Sequence, residues 1–234
     1  MKKWIRTVLL VLFCGVFLFS GFMFLREQLQ RRAARQEFEE LAALVEQTPV
    51  PTPSVVPTPA PTGEEQPQVT PTPAPKHKRD IAALQEMNAH CIGWVCIPET
   101  EVNYPVMHTP QEPQYYLRLN FQQRYSVAGT PFMDYRCTLD SENIILYGHN
   151  MNDGSMFGTV LNYLDEEYLA AHPVVELETA EGCRYYRVVQ ARRVDPYDPW
   201  FSYGAQPGQT QYLTLSTCDE TGGARVLLIA ELIA

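Results

Sequence analysis

Ten of the chain's nineteen prolines fall between residues 48 and 75, in TPVPTPSVVPTPAPTGEEQPQVTPTPAP. Each proline fixes φ and removes a backbone donor, so no helix or central strand runs through such a stretch. The 234 residues are thereby divided into an N-terminal and a C-terminal piece. The proline stretch carries too few large apolar side chains to bury a core. It is expected to be an extended polyproline II linker over residues 48–78, reaching on the order of 90 Å when drawn out, and reads as a stalk that lifts the C-terminal piece away from whatever holds the N-terminus.

The N-terminal piece contains an uncharged apolar run at residues 8–25, VLLVLFCGVFLFSGFMFL, preceded by Lys2, Lys3 and Arg6. Its length fits one membrane span, which needs roughly 20 apolar residues. A cleaved signal peptide is the rival reading, but such peptides have shorter apolar cores and a small-residue cleavage site. Here Phe22, Met23, Phe24 and Leu25 close the run, so residues 1–25 read as an uncleaved, single-pass anchor. Arg26, Arg31, Arg32 and Arg35 on the far flank blunt the positive-inside signal for its orientation. Residues 26–47 turn charged, with Leu29, Ala33, Phe38, Leu41 and Leu44 or Val45 at helical spacing, which predicts a membrane-proximal amphipathic helix.

Residues 79–234 read as one domain. Asp80 is placed to cap a helix over 81–90. Eight short β-rich runs follow, at 92–97, 102–107, 130–134, 143–147, 174–178, 185–192, 212–216 and 225–233, with short helices at 156–163 and 166–171. Short strands punctuated by Pro and Gly indicate a mainly β domain, a closed barrel or a sandwich. The net charge of -9 argues against a nucleic-acid partner, which would need a basic face. No metal or organic cofactor is suggested; the acidic run at 165–167 is not a cage.

Six cysteines, at 14, 91, 96, 137, 183 and 218, show no zinc-site spacing, and a chain this long needs no disulfide framework. Most read as small buried hydrophobes. Cys218 differs, because the strand YLTLSTC delivers it to its C-terminal end. The strand in NIILYGHN likewise ends at Gly148 and His149, and Arg225 opens the last strand after a short loop from Cys218. A thiolate is a strong nucleophile, histidine exchanges protons near neutral pH, and arginine offers a permanently charged fork to an oxyanion. Singly, each has a bland explanation: packing for Cys218, a surface role for His149, a pairing with Asp219 or Glu220 for Arg225. Jointly they point to acyl transfer through a thioester.

The sequence resembles the sortase family, and within it class B. The similar segments cover nearly all of residues 91–233: GWVCIPET-EVNYPV, YYLRLNF, GTPFMDYRC, NIILYGHNMNDGSMFG and LTLSTC followed by Arg225. The family's YGHNM-x-x-G-x-MF and TLxTC…R patterns are the most specific of these. The resemblance implies an eight-stranded sortase-type β-barrel and a Cys218–His149–Arg225 site, with Ser216, Thr217 and Leu117 as candidate contacts to substrate. It implies a transpeptidase that cleaves a C-terminal sorting signal of secreted proteins and joins the acyl fragment to an amine of peptidoglycan or its precursor. The catalytic domain would then lie outside the cell on its membrane anchor. Hydrolysis by water, polymerisation of pilin subunits, and a stalked binding domain without activity are the competing readings. Met151, Met156 and Phe157 read as packing beside His149. One departure stands out: class B members carry a long helical insertion between the sixth and seventh strands, whereas RRVDPYDPWFSYGAQPGQTQYL is short, which leaves the sorting signal open.

Overall fold

A computed structural model of the chain describes residues 2–46, 79–203 and 210–233. Eight strands form a closed barrel: β1 (Cys91–Cys96), β2 (Asn103–Met107), β3 (Phe132–Met133), β4 (Asn143–Tyr147), β5 (Val174–Thr179), β6 (Gly182–Val194), β7 (Tyr212–Cys218) and β8 (Arg225–Leu232). Around the barrel they run β1-β2-β3-β4-β7-β8-β6-β5, and β5 pairs back onto β1. Closure of the ring leaves no open sheet edge. All eight expected strands are present, and the barrel is realised rather than the sandwich. The third is shortened to Phe132–Met133, because only these residues pair with β4.

Two neighbouring pairs are parallel, β2 with β3 and β4 with β7. Strands β4 and β7 are covered on both faces, so their middles are near-continuous apolar runs; Ile144, Leu146, Leu213 and Leu215 are fully buried. Thr214 Oγ1 donates to Asn143 Oδ1 between them at 2.7 Å, while Asn143 Nδ2 and Ser216 Oγ are buried without a hydrogen-bond partner among the described residues.

Helix α2 (Ile81–Met87) starts where Asp80 accepts from the Ala83 N–H at 3.0 Å. It stops short of residue 90 because Asn88 leaves the helix, its side chain donating to Tyr116 Oη and the Phe121 carbonyl. A 3-10 helix at Gly158–Leu164 replaces the helix expected over 156–163, since Met156 takes a left-handed φ of 56°. Asp165 caps α3 (Glu166–Ala171) by accepting from the Glu167 and Tyr168 N–H groups, which accounts for the acidic run at 165–167. A 3-10 turn at Tyr115–Arg118 and a short helix α4 (Trp200–Tyr203) were not foreseen from sequence. All six cysteines are free.

In the N-terminal piece the apolar run and the charged segment after it form one continuous helix, α1 (Lys2–Val45), about 66 Å long. Its apolar half, from Trp4 to Leu25, exposes nearly every large side chain, and by length and composition it can cross a membrane. The other half docks on the barrel. The buried face is Ala34, Phe38, Leu41, Ala42 and Val45, while Leu29 and Leu44 point to solvent. These five belong to the same core cluster as the barrel interior, so the hydrophobic core extends beyond the 79–234 boundary.

The proline linker at 48–78 lies outside the described residues, but the described residues that flank it meet. Glu46 bridges to Arg79 in antiparallel fashion, and the Asp80 N–H donates to the Val45 carbonyl at 3.0 Å. The separation between the apolar run and the barrel is therefore set by the docked helix, not by the reach of the linker.

Candidate active site

Strands β4 and β7 end at the same rim because they are parallel and in register, Tyr147 opposite Ser216. Beyond that last pair the chains stay tied: the Gly148 N–H donates to the Ser216 carbonyl at 3.2 Å, and Thr217 Oγ1 donates to the Gly148 carbonyl at 2.9 Å. His149 and Cys218 thus emerge side by side, each two residues past the Tyr147–Ser216 pair. Strand β8 runs antiparallel to β7 and opens with Arg225 directly opposite Cys218. Three adjacent strands deliver three side chains to one cavity of about 600 Å³, which all three line.

Gly148 is required by close packing. A β-carbon there would lie 2.6 Å from the Phe157 ring. Phe157 in turn donates its N–H to the His149 carbonyl at 2.9 Å, so the residue carrying the imidazole is gripped from both sides. Met151, Met156 and Phe157 are buried as packing, in agreement with the sequence reading.

His149 Nε2 lies 2.8 Å from the Leu117 carbonyl. A carbonyl only accepts, so Nε2 carries the proton and Nδ1 is the free nitrogen of the neutral ring. Burial pushes the imidazole below its ordinary pKa; the Leu117 hydrogen bond opposes this, and the nearby charges of Arg118 and Arg225 push the same way as burial. The neutral ring is therefore favoured.

Arg225 makes no salt bridge among the described residues, because the acidic neighbours suggested by sequence are engaged elsewhere. Asp219 folds the β7–β8 loop by accepting from Thr221 Oγ1 and from the Thr221 and Ala224 N–H groups. Glu220 pairs with Arg193 at 3.6 Å. The guanidinium faces the cavity with its charge uncompensated by a carboxylate, as an oxyanion site requires.

Of the candidate substrate contacts, Leu117 lines the cavity. Ser216 and Thr217 are fully buried and lie outside its lining. Thr217 instead ties the two strand ends together.

Sequence reasoning missed the opposite wall. Tyr147 donates to Asp134 Oδ2 at 2.9 Å, and Arg136 clasps the same carboxylate through Nε and Nη2. Burial and the Asp134 charge push the Tyr147 hydroxyl up, so it stays a donor. The alternation of strand β4 placed Tyr147, but its partner on another strand end had no signal in the sequence. The β6–β7 connection, residues 195–211, adds Tyr197 and Phe201 to the wall; residues 204–209 of it lie outside the described set.

A closed eight-stranded barrel thus brings Cys218, His149 and Arg225 from three adjoining strand ends to one cavity. A family model described as the sortase domain matches residues 95–233, more than half of the chain. The chain belongs to the sortase family. It is 40% identical over 111 residues to sortase B of Listeria monocytogenes, covering 47% of this chain and 44% of that protein. It is 30% identical over 129 residues to sortase B of Staphylococcus aureus, covering 53% and 52%. The chain thus matches about half the length of these curated relatives. The crystal structure of sortase B from B. anthracis superposes with a TM-score of 0.65 at 27% identity, over 88% of this chain and 98% of that one.

Proposed function

We propose that the protein is a membrane-anchored class B sortase, a cysteine transpeptidase acting on secreted proteins at the outer face of the membrane. The observation that carries this is the convergence on one cavity of Cys218, His149 and Arg225, which has no carboxylate partner among the described residues. Cys218 Sγ attacks the carbonyl carbon of the scissile peptide, its proton passing to His149. Arg225 holds the tetrahedral oxyanion. As the C–N bond breaks, His149 returns the proton to the departing amine and a Cys218 thioester remains. An acceptor amine, on peptidoglycan or its precursor, then attacks the thioester and gives a proton to His149, and the thiolate leaves and is reprotonated. Because Nε2 is held by Leu117, Nδ1 is the nitrogen that moves protons. Leu117 contributes substrate-facing surface, whereas Ser216 and Thr217 support the nucleophile from beneath. The apolar half of α1 serves as the anchor, and substrates carry a C-terminal sorting signal.

The test is mass spectrometry of the full chain in detergent, incubated with Thr- and Pro-containing peptides and an oligoglycine or diamine acceptor. An acyl adduct on Cys218 and an amine-ligated product are expected. Hydrolysis that no amine diverts would overturn transpeptidation, and turnover in Cys218→Ala would overturn the site.

A further inference from the structure

His149 owes its placement to two segments, and α1 touches both. The first is the 115–130 segment, whose Leu117 carbonyl accepts from Nε2. It is folded by its own backbone: the Thr130 N–H donates to the Tyr116 carbonyl, and the Ser126 N–H to the Arg118 carbonyl. Asn120 closes its far end, accepting at Oδ1 from the Arg124 N–H at 2.7 Å. The Asn120 amide also donates to Glu37 Oε2 of α1 at 2.6 Å.

The second segment follows His149. The 150–157 loop returns so that Phe157 binds the His149 carbonyl and packs on Gly148. Its sharpest residue is Met156, at a left-handed φ that a non-glycine side chain holds only where its surroundings enforce it. The enforcing contact is Tyr104 Oη, which accepts from the Met156 N–H at 3.0 Å. Tyr104 is itself held by Phe38 of α1, edge to face at 5.2 Å between ring centres, and both rings are buried.

We propose that the docked half of α1 is a positioning element for His149, bracing through Glu37 and Phe38 the two segments that orient its imidazole. The inference rests on the catalytic role given to His149 above. It makes the membrane-borne helix part of the support of the active site rather than a tether alone. Phe38 and Glu37 touch no substrate; they act through Tyr104, Met156 and Asn120.

The experiment uses the full chain in detergent micelles, with 13C-labelled histidine and with His149 assigned by its loss in His149→Ala. Among the described residues, Arg118 of the 3-10 turn and Arg225 of β8 act on the imidazole by charge, and Cys218 of β7, Tyr147 of β4, Asp134 and Arg136 line the same cavity. All of them are unchanged in the variants. Phe38→Ala is compared with Leu84→Ala, an equally buried truncation in α2. In Phe38→Ala the loosened segments admit water, and the His149 titration midpoint is expected to move up toward the ordinary histidine value, with kcat about tenfold lower and KM within about twofold. Phe38→Leu should restore most of both. Leu84→Ala should lower the melting temperature without moving the midpoint. A wild-type His149 titration in a folded Phe38→Ala protein would overturn the proposal. If Phe38→Ala does not fold, Glu37→Ala, which removes the carboxylate's contacts with the 120–124 turn (Asn120, the Gln122 backbone and the Arg124 charge), is read the same way. The titration needs no substrate, so failure of transpeptidation and failure of the bracing are seen separately.

Discussion

Arg79 and Arg225 are the same side chain in two opposite settings. Arg79 is 6% exposed and taken up by its neighbours: its N–H and Nη1 bind the two Glu178 oxygens, Nη2 binds Asn103 Oδ1, and the guanidinium lies over Trp94 at 5.4 Å. Trp94 Nε1 shares the Asn103 acceptor at 2.6 Å. Arg225 has no carboxylate partner among the described residues and opens onto a cavity. A guanidinium whose two terminal nitrogens are engaged holds elements together, here the start of the barrel domain against β1, β2 and β5, although Arg79 Nε is buried without a partner among the described residues. One left unoccupied at a cavity wall is available to a ligand's developing charge.

The largest expected effects separate these two roles. Arg79→Met leaves Glu178 buried without its counter-charge and should cost about 3–5 kcal/mol in chemical denaturation, with normal turnover per folded molecule. Adding Glu178→Leu should recover most of that loss; no recovery would mean that Arg79 acts by something other than charge compensation. Arg225→Ala should do the reverse, lowering kcat by about 10²–10³ with an unchanged melt. Arg225→Lys should stay strongly impaired, since a point charge does not reproduce the planar fork. Near-normal turnover in Arg225→Lys would erase the contrast.

A smaller effect is expected at Gly148. Gly148→Ala forces a β-carbon against Phe157 and should cost about 1–3 kcal/mol, together with a rate loss as His149 shifts. Full activity would show that the strand end yields more easily than its packing implies.

The pH dependence is gentler. His149 and His108 are both held below the ordinary histidine pKa, in each case chiefly by burial. The unfolded chain therefore binds more protons at mildly acid pH, so their contribution to stability is complete above about pH 6.5 and is lost as pH falls through the folded values. Thermal melts from pH 7.5 to 5 should show this decline, and His149→Ala should flatten part of it. The smallest change is expected from replacing residues 47–78 by an Asn-Gly turn: activity retained and stability raised by roughly 2 kcal/mol through cheaper loop closure. Loss of the fold would show that the linker contributes more than a connection.

The strands are legible because alternation and turn residues mark them one at a time, and Cys218, His149 and Arg225 stand out because their side-chain types at strand ends suit the proposed acyl transfer; the structure brings the three to one cavity. What supports His149 is not legible. The Leu117 carbonyl is backbone and has no letter of its own, and the Asp134–Tyr147 pair joins residues on separate strands. The face of α1 is legible only in part: Phe38, Leu41 and, of the pair Leu44 or Val45, Val45 lie on it, but Ala34 and Ala42 complete it rather than Leu29 and Ala33. A 3.6-residue period fixes that a stripe exists, while small alanines fitting closely against the barrel decide where it runs.

The meeting of Glu46 with Arg79 bears on what proteolysis would do to this molecule. A scissile linker between a membrane helix and a catalytic domain usually means that one cut sheds the domain. Here a cut between residues 47 and 78 would leave two fragments still joined by the buried side of α1, the Val45–Asp80 hydrogen bond and the Glu46–Arg79 bridge. Release would then require the helix to peel from the barrel, so the nicked barrel fragment would stay with the apolar helix until warmed or denatured.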